Sequence, residues 1–366
     1  MIDTTKHIVR FKNADDLSEL EDNSVSLVLT SPPYPMIEMW DDSFSSQDPA
    51  IADALETNNP LDAFERMHQV LDKVWNECYR VLHQGGVACI NVGDATRTIN
   101  KKFQLFPNHS RIISAFLELG FSNLPNIIWR KQTNAPNKFM GSGMLPPGAY
   151  LTLEHEFILV FRKGNKREFS NKEKPNRRQS SYFWEERNKW FSDLWNFKGT
   201  TQILSKNGIR KRSGAYPFEI PYRLINMFSV RDDLVLDPFL GTGTTTLAAI
   251  ASGRNSLGYE IEPDFKKIIK KNILSSEKLD LINDKIRQRI LNHKNFVQNR
   301  TKEKGEESIK YLNEFFDFPV MTRQEKKLIL QFIESIQEVD SNSFSATYLQ
   351  ESLLDYQGKN TLFAQV

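Results

Sequence analysis

The 366-residue chain has few cysteines and no long apolar run. Two cysteines, Cys78 and Cys89, are too few for a disulfide framework, and no Cys or His spacing resembles a metal site. No apolar stretch approaches the roughly 20 residues that cross a bilayer, and the first residues lack the apolar core of a secretory signal. These absences predict a protein of a reducing cytoplasm with neither a metal nor a membrane partner.

Neither sign of charge dominates the chain, whose formal net charge is +2, but the two signs are segregated. Residues 1–93 contain 16 acidic and 6 basic residues, whereas residues 162–213 contain 5 and 15, and residues 266–305 contain 4 and 12. Basic segments favour a polyanionic partner, although a solvated basic surface has the same composition. Residues 162–213 also contain eight aromatic residues, and basic groups mixed with aromatic ones indicate nucleic acid.

Apolar strands that alternate with amphipathic helices predict an α/β fold with a mostly parallel sheet. Residues 25–30 and 87–94 have the pattern of buried strands, and apolar residues three and four apart predict a helix over 61–82. A strand–helix–strand unit is typical of parallel pairing. Four further stretches have strand patterns, the second of them expected to pair antiparallel: residues 126–131, 154–163, 234–239 and 255–261.

A rigid turn, Ser31-Pro32-Pro33-Tyr34, follows the first strand. The two prolines fix φ and remove two backbone donors at the carboxyl end of that strand. Such a turn either ends a strand or forms the wall of a pocket. Residues 35–40, with the sequence PMIEMW, add sulfur and aromatic side chains that are expected to shape the pocket or to order the loop above it.

A glycine-containing loop follows the strand 234–239, where Asp237-Pro238-Phe239 precede Gly241, Gly243 and a helix. The glycines let the backbone turn tightly and approach a ligand, which then faces the amino terminus of the helix. About 20 residues later, Glu260 ends the next strand, where an acidic side chain can accept hydrogen bonds from ribose hydroxyls. The loop therefore predicts a nucleoside site.

Three ligands compete for this loop. A nicotinamide dinucleotide site has a third glycine, where this chain has Thr246, and a phosphate-binding loop has a lysine that is missing here. Asp237 repels a pyrophosphate but accepts a hydrogen bond from an ammonium group. The loop therefore favours S-adenosylmethionine, which has no phosphate and a zwitterionic amino-acid end. A tight turn without any ligand is the remaining alternative.

The motif SPPY, followed at a distance by DPFLGTGTT, resembles the amino-group DNA methyltransferases of restriction–modification systems. The order of the two motifs is similar to the permuted β class, and the serine of SPPY is similar to the N4-cytosine group, whereas adenine-modifying relatives more often have aspartate. The resemblance covers roughly residues 22–270. It implies a Rossmann-like, circularly permuted fold with a mostly parallel sheet and one antiparallel strand.

The resemblance divides the chain into four regions, and it implies S-adenosylmethionine as cofactor and duplex DNA as substrate. These regions are a catalytic half (1–163), a target-recognition insert (164–213), a cofactor-binding half (214–275) and a helical C-terminal extension (276–366). Residues 321–337 of the extension have an amphipathic helical pattern. The extension is expected to form a homodimer, to contact DNA or to cap the fold.

The resemblance also implies roles for individual residues. Ser31, Pro32, Pro33 and Tyr34 are the expected catalytic residues: the Ser31 hydroxyl and the Pro32 carbonyl accept hydrogen bonds from the amino group, and Tyr34 offers a flat face to an extruded base. The expected cofactor contacts are Thr30, Asp94, Tyr216, Pro217, Asp237, Pro238, Phe239, Gly241, Gly243, Thr244, Thr245 and Glu260. The expected DNA contacts are Arg177, Arg178, Lys189, Arg210, Lys211 and Arg212.

The expected roles of Asp94 and Tyr216 are less specific than those of the other cofactor contacts. A helix cap is an equal alternative for Asp94. Tyr216 stands where the family has phenylalanine, and the histidine that precedes this position in the family is absent.

Three functions stay open at this stage. They are N4-cytosine methylation, N6-adenine methylation by the same residues, and DNA binding without catalysis, with RNA as an alternative substrate. Methylation at carbon 5 of cytosine requires a cysteine nucleophile, and both cysteines have the pattern of core residues. A cognate restriction endonuclease is expected as a functional partner, in a prokaryotic cytoplasm.

Overall fold

A computed structural model describes residues 2–132, 140–199 and 216–350. Three of the expected DNA contacts, Arg210, Lys211 and Arg212, therefore lie outside the described residues. In these three ranges, no helix combines the length and the apolar character that crossing a membrane requires. Cys78 and Cys89 are both buried, as expected for core residues.

The strands and helices are numbered along the described ranges. The strands are β1 (Thr4–Arg10), β2 (Val25–Thr30), β3 (Leu82–Val92), β4 (Ala95–Ile99), β5 (Lys102–Phe106), β6 (Phe121–Asn123), β7 (Ile127–Gln132), β8 (Met140–Gly141), β9 (Ala149–Tyr150), β10 (His155–Lys163), β11 (Leu194–Lys198), β12 (Leu234–Asp237), β13 (Asn255–Tyr259), β14 (Tyr311–Leu312), β15 (Pro319–Val320), β16 (Ile333–Asp340) and β17 (Ser343–Tyr348). The helices are α1 (Asp41–Ser45), α2 (Ala50–Glu56), α3 (Pro60–Val81), α4 (Asn108–Glu118), α5 (Lys174–Gln179), α6 (Trp184–Trp190), α7 (Glu219–Phe228), α8 (Thr244–Ser252), α9 (Phe265–Leu274) and α10 (Ser276–Lys304).

Eleven of the described strands form one sheet, in the order β11-β7-β10-β3-β2-β12-β13-β1-β17-β16, with β6 beside β10. The pairs from β3 to β1 are parallel, as the strand–helix–strand pattern predicts. β10 runs antiparallel to β3 and β7, which confirms the expectation for residues 154–163. β17 is a second reversed strand, because it pairs antiparallel with both β1 and β16. The expectation of a single antiparallel strand is therefore wrong.

Helices cover both faces of the sheet, so its central strands are buried on both sides. Leu27 and Leu29 of β2 belong to the hydrophobic core that contains α7 and α8, whereas Val28 belongs to the core that contains α3. Alternate side chains of a strand point to opposite faces, so a doubly covered strand must be apolar throughout. This explains why residues 25–30 show no polar alternation.

The strand order reverses between β2 and β12. The chain passes from β2 through α3 to β3 on one side, and from β12 through α8 to β13 on the other. In open α/β sheets, ligands bind outside the carboxyl ends of the strands at this reversal. The two motifs singled out in the sequence follow these two neighbouring strands.

The long helix of the C-terminal extension ends at Lys304, so the expectation of a helical segment over 276–366 is wrong for the described residues 305–350. β16 and β17 extend the central sheet next to β1 instead. Residues 321–337, expected to be one helix, contain a short turn and extended chain that leads into β16. Tertiary pairing overrides the helical pattern here, because β17 covers the edge of β1 and its own outer edge would be unpaired without β16.

The described part of the expected recognition insert, residues 164–199, pairs and packs with the elements of the main fold. β11 pairs with β7 at the edge of the sheet, and Glu186 of α6 forms a buried bidentate ion pair with Arg289 of α10. Three of the eight aromatic residues whose mixture with basic groups indicates nucleic acid are buried in the core: Phe183, Trp190 and Trp195. Composition alone cannot distinguish an aromatic core from a stacking surface.

Candidate functional site

A cavity of about 360 Å³ opens where β2 and β12 end. Ten of the residues expected at a catalytic or cofactor site line it: Ser31, Pro32, Pro33, Tyr34, Tyr216, Pro238, Phe239, Gly241, Thr244 and Glu260. The two strand ends are joined directly, because Thr30 Oγ1 donates a hydrogen bond to Asp237 Oδ1 (2.6 Å). The parallel sheet thus brings together two motifs that are 207 residues apart in the chain.

A hydrogen-bonded network orients the turn after β2. Tyr34 OH donates to Glu156 Oε2 of β10 (3.1 Å) and lies 3.0 Å from Ser31 Oγ. Asn91 Nδ2, from β3, donates to Tyr34 OH (2.9 Å) and to Glu156 Oε2 (2.7 Å). The other carboxylate oxygen of Glu156 accepts from Lys131 Nζ of β7. Three strands therefore hold the position of Tyr34.

The direction of these hydrogen bonds determines what Ser31 can do. A tyrosine hydroxyl has one proton, and that of Tyr34 goes to Glu156, so Ser31 must be the donor in its contact with Tyr34. Burial and the Glu156 carboxylate raise the pKa of Tyr34 well above its usual value, so the tyrosine keeps this proton. Asn91 Nδ2 also lies 3.5 Å from Ser31 Oγ, so one lone pair of Ser31 Oγ is left to accept from another group.

A glycine packs closely against the Tyr34 ring. A Cβ atom added to Gly93 would lie 3.1 Å from Tyr34 Cε2 and 3.2 Å from Glu156 Cγ, closer than nearly all such contacts. Gly93 follows β3 directly, so the end of that strand can approach the ring only without a side chain. The Tyr34 ring therefore packs directly against the backbone at the end of β3.

Replacing Glu156 with glutamine is expected to lower the free energy of unfolding by about 1–3 kcal/mol. One of the two side-chain positions that accept hydrogen bonds becomes an amide donor facing donors, and Lys131 loses its ion pair within a buried network. Urea denaturation followed by circular dichroism measures the difference.

The matched control is Glu154→Gln, two residues earlier in the chain. Glu154 pairs with Arg130 at 3.3 Å, and its side chain is 39% exposed whereas that of Glu156 is 10% exposed, so its replacement is expected to cost less than about 1 kcal/mol. Equal losses in the two variants would contradict the structural importance of the buried Glu156 carboxylate.

Asp237 fixes the loop that follows β12 by hydrogen bonds from neighbouring residues. Its carboxylate is buried and accepts hydrogen bonds from the Thr30 and Thr245 hydroxyls and from the Phe239 backbone N–H. Burial raises the pKa of Asp237 to about 6, although the hydrogen bonds from Thr245 and Thr30 act in the opposite direction. Tyr216 OH contacts Thr245 Oγ1 in turn, at 2.5 Å. Asp237 therefore shapes the loop and does not itself line the cavity.

Glu260 forms the opposite wall together with the glycine loop. Its Oε2 accepts from Gly241 N–H and its Oε1 from Glu262 N–H, both at 2.9 Å, so the carboxylate points toward the loop. A carboxylate has about four acceptor positions, which leaves capacity for ligand hydroxyls. Phe239 and the exposed Ile261 add apolar surface to the same cavity. The wall is thus polar at one point and apolar around it, as a nucleoside requires.

Several expected cofactor contacts lie outside the cavity lining. Asp94 accepts from the backbone N–H of His109 (3.1 Å) and from its Nδ1 (2.8 Å) at the start of α4. Of the two roles expected for Asp94, the structure favours the one at the helix terminus. Four more expected contacts are outside the lining, although each is next in sequence to a residue that lines the cavity: Thr30, Pro217, Gly243 and Thr245.

The described basic residues of the expected DNA contacts lie away from this cavity. α5 is anchored at the opposite edge of the sheet, where Asn176 Nδ2 donates to the carbonyl of Arg231 just before β12 begins (2.7 Å). Arg177 and Arg178 belong to α5, and the Arg177 guanidinium covers the Phe169 ring at 4.6 Å. Lys189 is exposed on α6. The structure therefore does not bring Arg177 and Arg178 to the cavity.

The sequence did not indicate three residues of the Tyr34 network, Asn91, Lys131 and Glu156, and it missed other residues of the cavity wall such as Ile261. Glu156 lies within the stretch 154–163 that was predicted as a strand. The apolar pattern of this stretch does not show which face of β10 contacts Tyr34. Asn91 is a polar residue in an otherwise apolar strand, a signal that could have indicated a buried hydrogen-bonding role.

The model of the DNA methylase family, which comprises N6 and N4 amino-group enzymes, matches residues 25–271. This chain belongs to the DNA methylase family. The DNA methylase is 50% identical to the type II methyltransferase M.MthZI of Methanothermobacter thermautotrophicus, over 94% of this chain and 95% of the relative. It is 52% identical to the type II methyltransferase M.MjaI of Methanocaldococcus jannaschii, over 74% of this chain and 92% of the relative.

A solved structure is similar to this DNA methylase as well. TTHA0409 of Thermus thermophilus, in complex with S-adenosyl-L-methionine, has a TM-score of 0.56 and 31% identity, covering 73% of this chain and 94% of that protein. These likenesses confirm the predicted restriction–modification family and the Rossmann-like fold. The family includes both N4 and N6 enzymes, so membership leaves the target base to be inferred from the site.

Proposed function

We propose that this DNA methylase transfers the methyl group of S-adenosylmethionine to the exocyclic N4 amine of a cytosine extruded from duplex DNA. The observation that carries the proposal is that Ser31 and the loop after β12 line one cavity. A hydrogen-bond acceptor for an amino group thus faces a wall suited to a nucleoside. The serine at this position favours cytosine, by the resemblance of SPPY to the N4 group.

The residues present fit S-adenosylmethionine. A cavity of about 360 Å³ lies within the range of small-molecule sites, roughly 300–1,000 Å³. Glu260 has acceptor capacity for ribose hydroxyls, and Phe239 and Ile261 offer apolar surface for a purine ring. TTHA0409, which has the same fold at 31% identity, binds this cofactor. When bound, the cofactor supplies a methyl group activated by a positively charged sulfur.

The acceptor role of Ser31 explains how the chain would activate an amino group. The lone pair of an exocyclic amine is conjugated with the base ring, so the amine must be rotated out of conjugation to react. Ser31 Oγ, whose proton points to Tyr34, can accept one amino hydrogen, and the Pro32 carbonyl can accept the other. The two prolines keep this turn rigid, so little reorganisation accompanies the reaction. A neutral serine is a weak base, so the amine is methylated first and then releases its proton to water.

The decisive test of this proposal identifies the base that is methylated. Unmethylated plasmid DNA would be incubated with the protein and S-adenosylmethionine, digested to nucleosides and analysed by mass spectrometry. N4-methylcytosine is the expected product. N6-methyladenine would overturn the choice of base and support the adenine alternative, and no methylated nucleoside would support DNA binding without catalysis.

Cofactor binding is expected to weaken by roughly tenfold between pH 7 and pH 5. The pKa of Asp237 is about 6, so the carboxylate becomes protonated in the folded protein over this interval and loses part of its capacity to hold Thr30, Thr245 and Phe239. Binding that requires the ionised form falls about tenfold per pH unit below this pKa. Equilibrium dialysis with tritiated S-adenosylmethionine measures the affinity.

The raised pKa of Asp237 affects folding stability in the opposite direction to cofactor binding. Because the folded pKa lies above the usual 3.8, ionisation of Asp237 lowers stability as pH rises from about 4 to about 6. Weaker cofactor binding at pH 5 therefore cannot be attributed to destabilisation by this group. An Asp237→Asn variant should show flat affinity over the interval, and a flat profile in the unmodified protein would contradict the role of Asp237.

A further inference from the structure

A short hairpin rises from the edge of the sheet at which the cavity opens. The chain leaves the sheet at the end of β7 and returns at the start of β10, and between them β8 pairs with β9. Lys131 near the end of β7 and Glu156 near the start of β10 form the ion pair next to Tyr34. The hairpin therefore stands beside the proposed catalytic turn.

The tip of the hairpin is a closed turn. Ser142 N–H donates to the carbonyl of Gly148 (2.9 Å), and Leu145 N–H donates to the carbonyl of Ser142 (3.3 Å). Tyr150 of β9 stacks on Phe103 of β5, with ring centroids 4.2 Å apart. The β4–β5 hairpin that carries Phe103 follows β3 directly after Gly93, so two neighbouring hairpins support each other above the same edge.

Large apolar side chains occupy the outer end of this turn. Met144 is 85% exposed and Leu145 is 71% exposed, and Leu151 nearby is 90% exposed. Single exposed apolar residues are ordinary, but a cluster on a compact, self-closed turn marks a contact surface. Lys101 and Lys102, exposed at the tip of the neighbouring hairpin, add positive charge to this edge.

We infer that Met144 and Leu145 enter the base stack of the DNA and fill the space from which the target base has been extruded. The inference rests on the proposed methylation of an extruded base, and it adds the residues that stabilise the extrusion. Extrusion breaks stacking and pairing, at a cost of a few kcal/mol, and proteins that open a base step insert Met, Leu or Pro side chains as wedges. Lys101 and Lys102 would then meet backbone phosphates.

The test uses two synthetic duplexes that contain the methylated site, once that site is mapped by sequencing treated plasmid DNA. One duplex is fully paired, and the other has an abasic position opposite the target base, where extrusion needs less work. The double variant M144S/L145S is expected to lose roughly tenfold in kcat/KM on the paired duplex and less than about twofold on the abasic duplex. Transfer of tritiated methyl groups measures both rates.

The control is L281S/V339S, which removes two other exposed apolar side chains from α10 and β16. Its activity on both duplexes should equal that of the unmodified protein. An equal loss of M144S/L145S on both duplexes, or no loss on either, would overturn the inference. A shift from dimer to monomer in sedimentation, with unchanged paired-duplex activity, would also overturn it, because the tip would then be covered by a second copy of the chain.

The readout counts methyl groups whichever base accepts them. Finding N6-methyladenine would therefore overturn the proposed target base and leave the comparison of the two duplexes valid. A wrong target base and a wrong assignment of Met144 and Leu145 therefore give different results.

Discussion

Replacing Ser31 with alanine is expected to lower kcat by about 10²–10³-fold, the loss typical of removing one preorganised hydrogen-bonding group at a reacting centre. The network leaves Ser31 Oγ one lone pair for an amino group, because Ser31 donates to Tyr34 OH and accepts from Asn91 Nδ2 at 3.5 Å. The affinity for S-adenosylmethionine should change by less than about twofold, because the cofactor-facing wall belongs to other strands. Methyl transfer to plasmid DNA under single-turnover conditions measures the effect.

Ser24→Ala is the matched control for Ser31. Ser24 precedes the same strand at its opposite end, is exposed, and donates only to the carbonyl of Glu21 in its own turn (2.6 Å). Its replacement should leave kcat unchanged. Wild-type turnover in Ser31→Ala would show that the serine is not needed as an acceptor.

Replacing Glu260 with alanine is expected to raise the Kd of S-adenosylmethionine by at least about 100-fold. Two hydrogen bonds to a charged group contribute about 1.5–3 kcal/mol each, and about 1.4 kcal/mol corresponds to a factor of ten. The loop also loses the acceptor for Gly241 N–H, which positions it against the cavity. Equilibrium dialysis measures the affinity.

Glu260→Gln keeps one side-chain acceptor and should lose only about tenfold in affinity, since it retains part of the hydrogen bonding without the charge. Glu277→Ala removes an exposed carboxylate from the first turn of α10 and should have no effect. Thermal melting of each variant checks that the fold persists. Unchanged affinity in Glu260→Ala would remove this residue from the cofactor site.

The parallel centre of the sheet and the two motifs could be predicted because their signals are local. Residues 25–30 and 234–236 are mostly apolar and are followed closely by proline, so both the burial and the end of each strand can be predicted. Parallel strands place their carboxyl ends at one edge, which is sufficient to predict that Ser31 and Gly241 share a cavity.

The network around Tyr34 could not be predicted, because it depends on register between distant strands. Phe157 of β10 pairs with Val92 of β3, and this pairing turns Glu156 toward the site. A shift by one residue would turn His155 or Phe157 there instead. Nothing in the local sequence distinguishes these registers.

The helix predicted for the C-terminal extension was wrong for a related reason. Its pattern over 321–337 is compatible with a helix, but β17 offers backbone partners to β16 that only the folded sheet reveals. The aromatic residues of 164–213 show the same limit, because Trp195 belongs to a strand that is recognisable only by its pairing with β7.

The position of β2 between β3 and β12 has a consequence for biosynthesis. Leu27 pairs with Val87 on one side and with Val235 on the other, so the nascent chain can pair one edge of β2 early and the other only much later. At 5–20 residues per second, the 207 residues between Thr30 and Asp237 take about 10–40 s to synthesise. During that time an apolar strand has an open edge, and such edges favour aggregation. Slower initiation or cooler growth, which lowers the concentration of these intermediates, should therefore raise the yield of active protein.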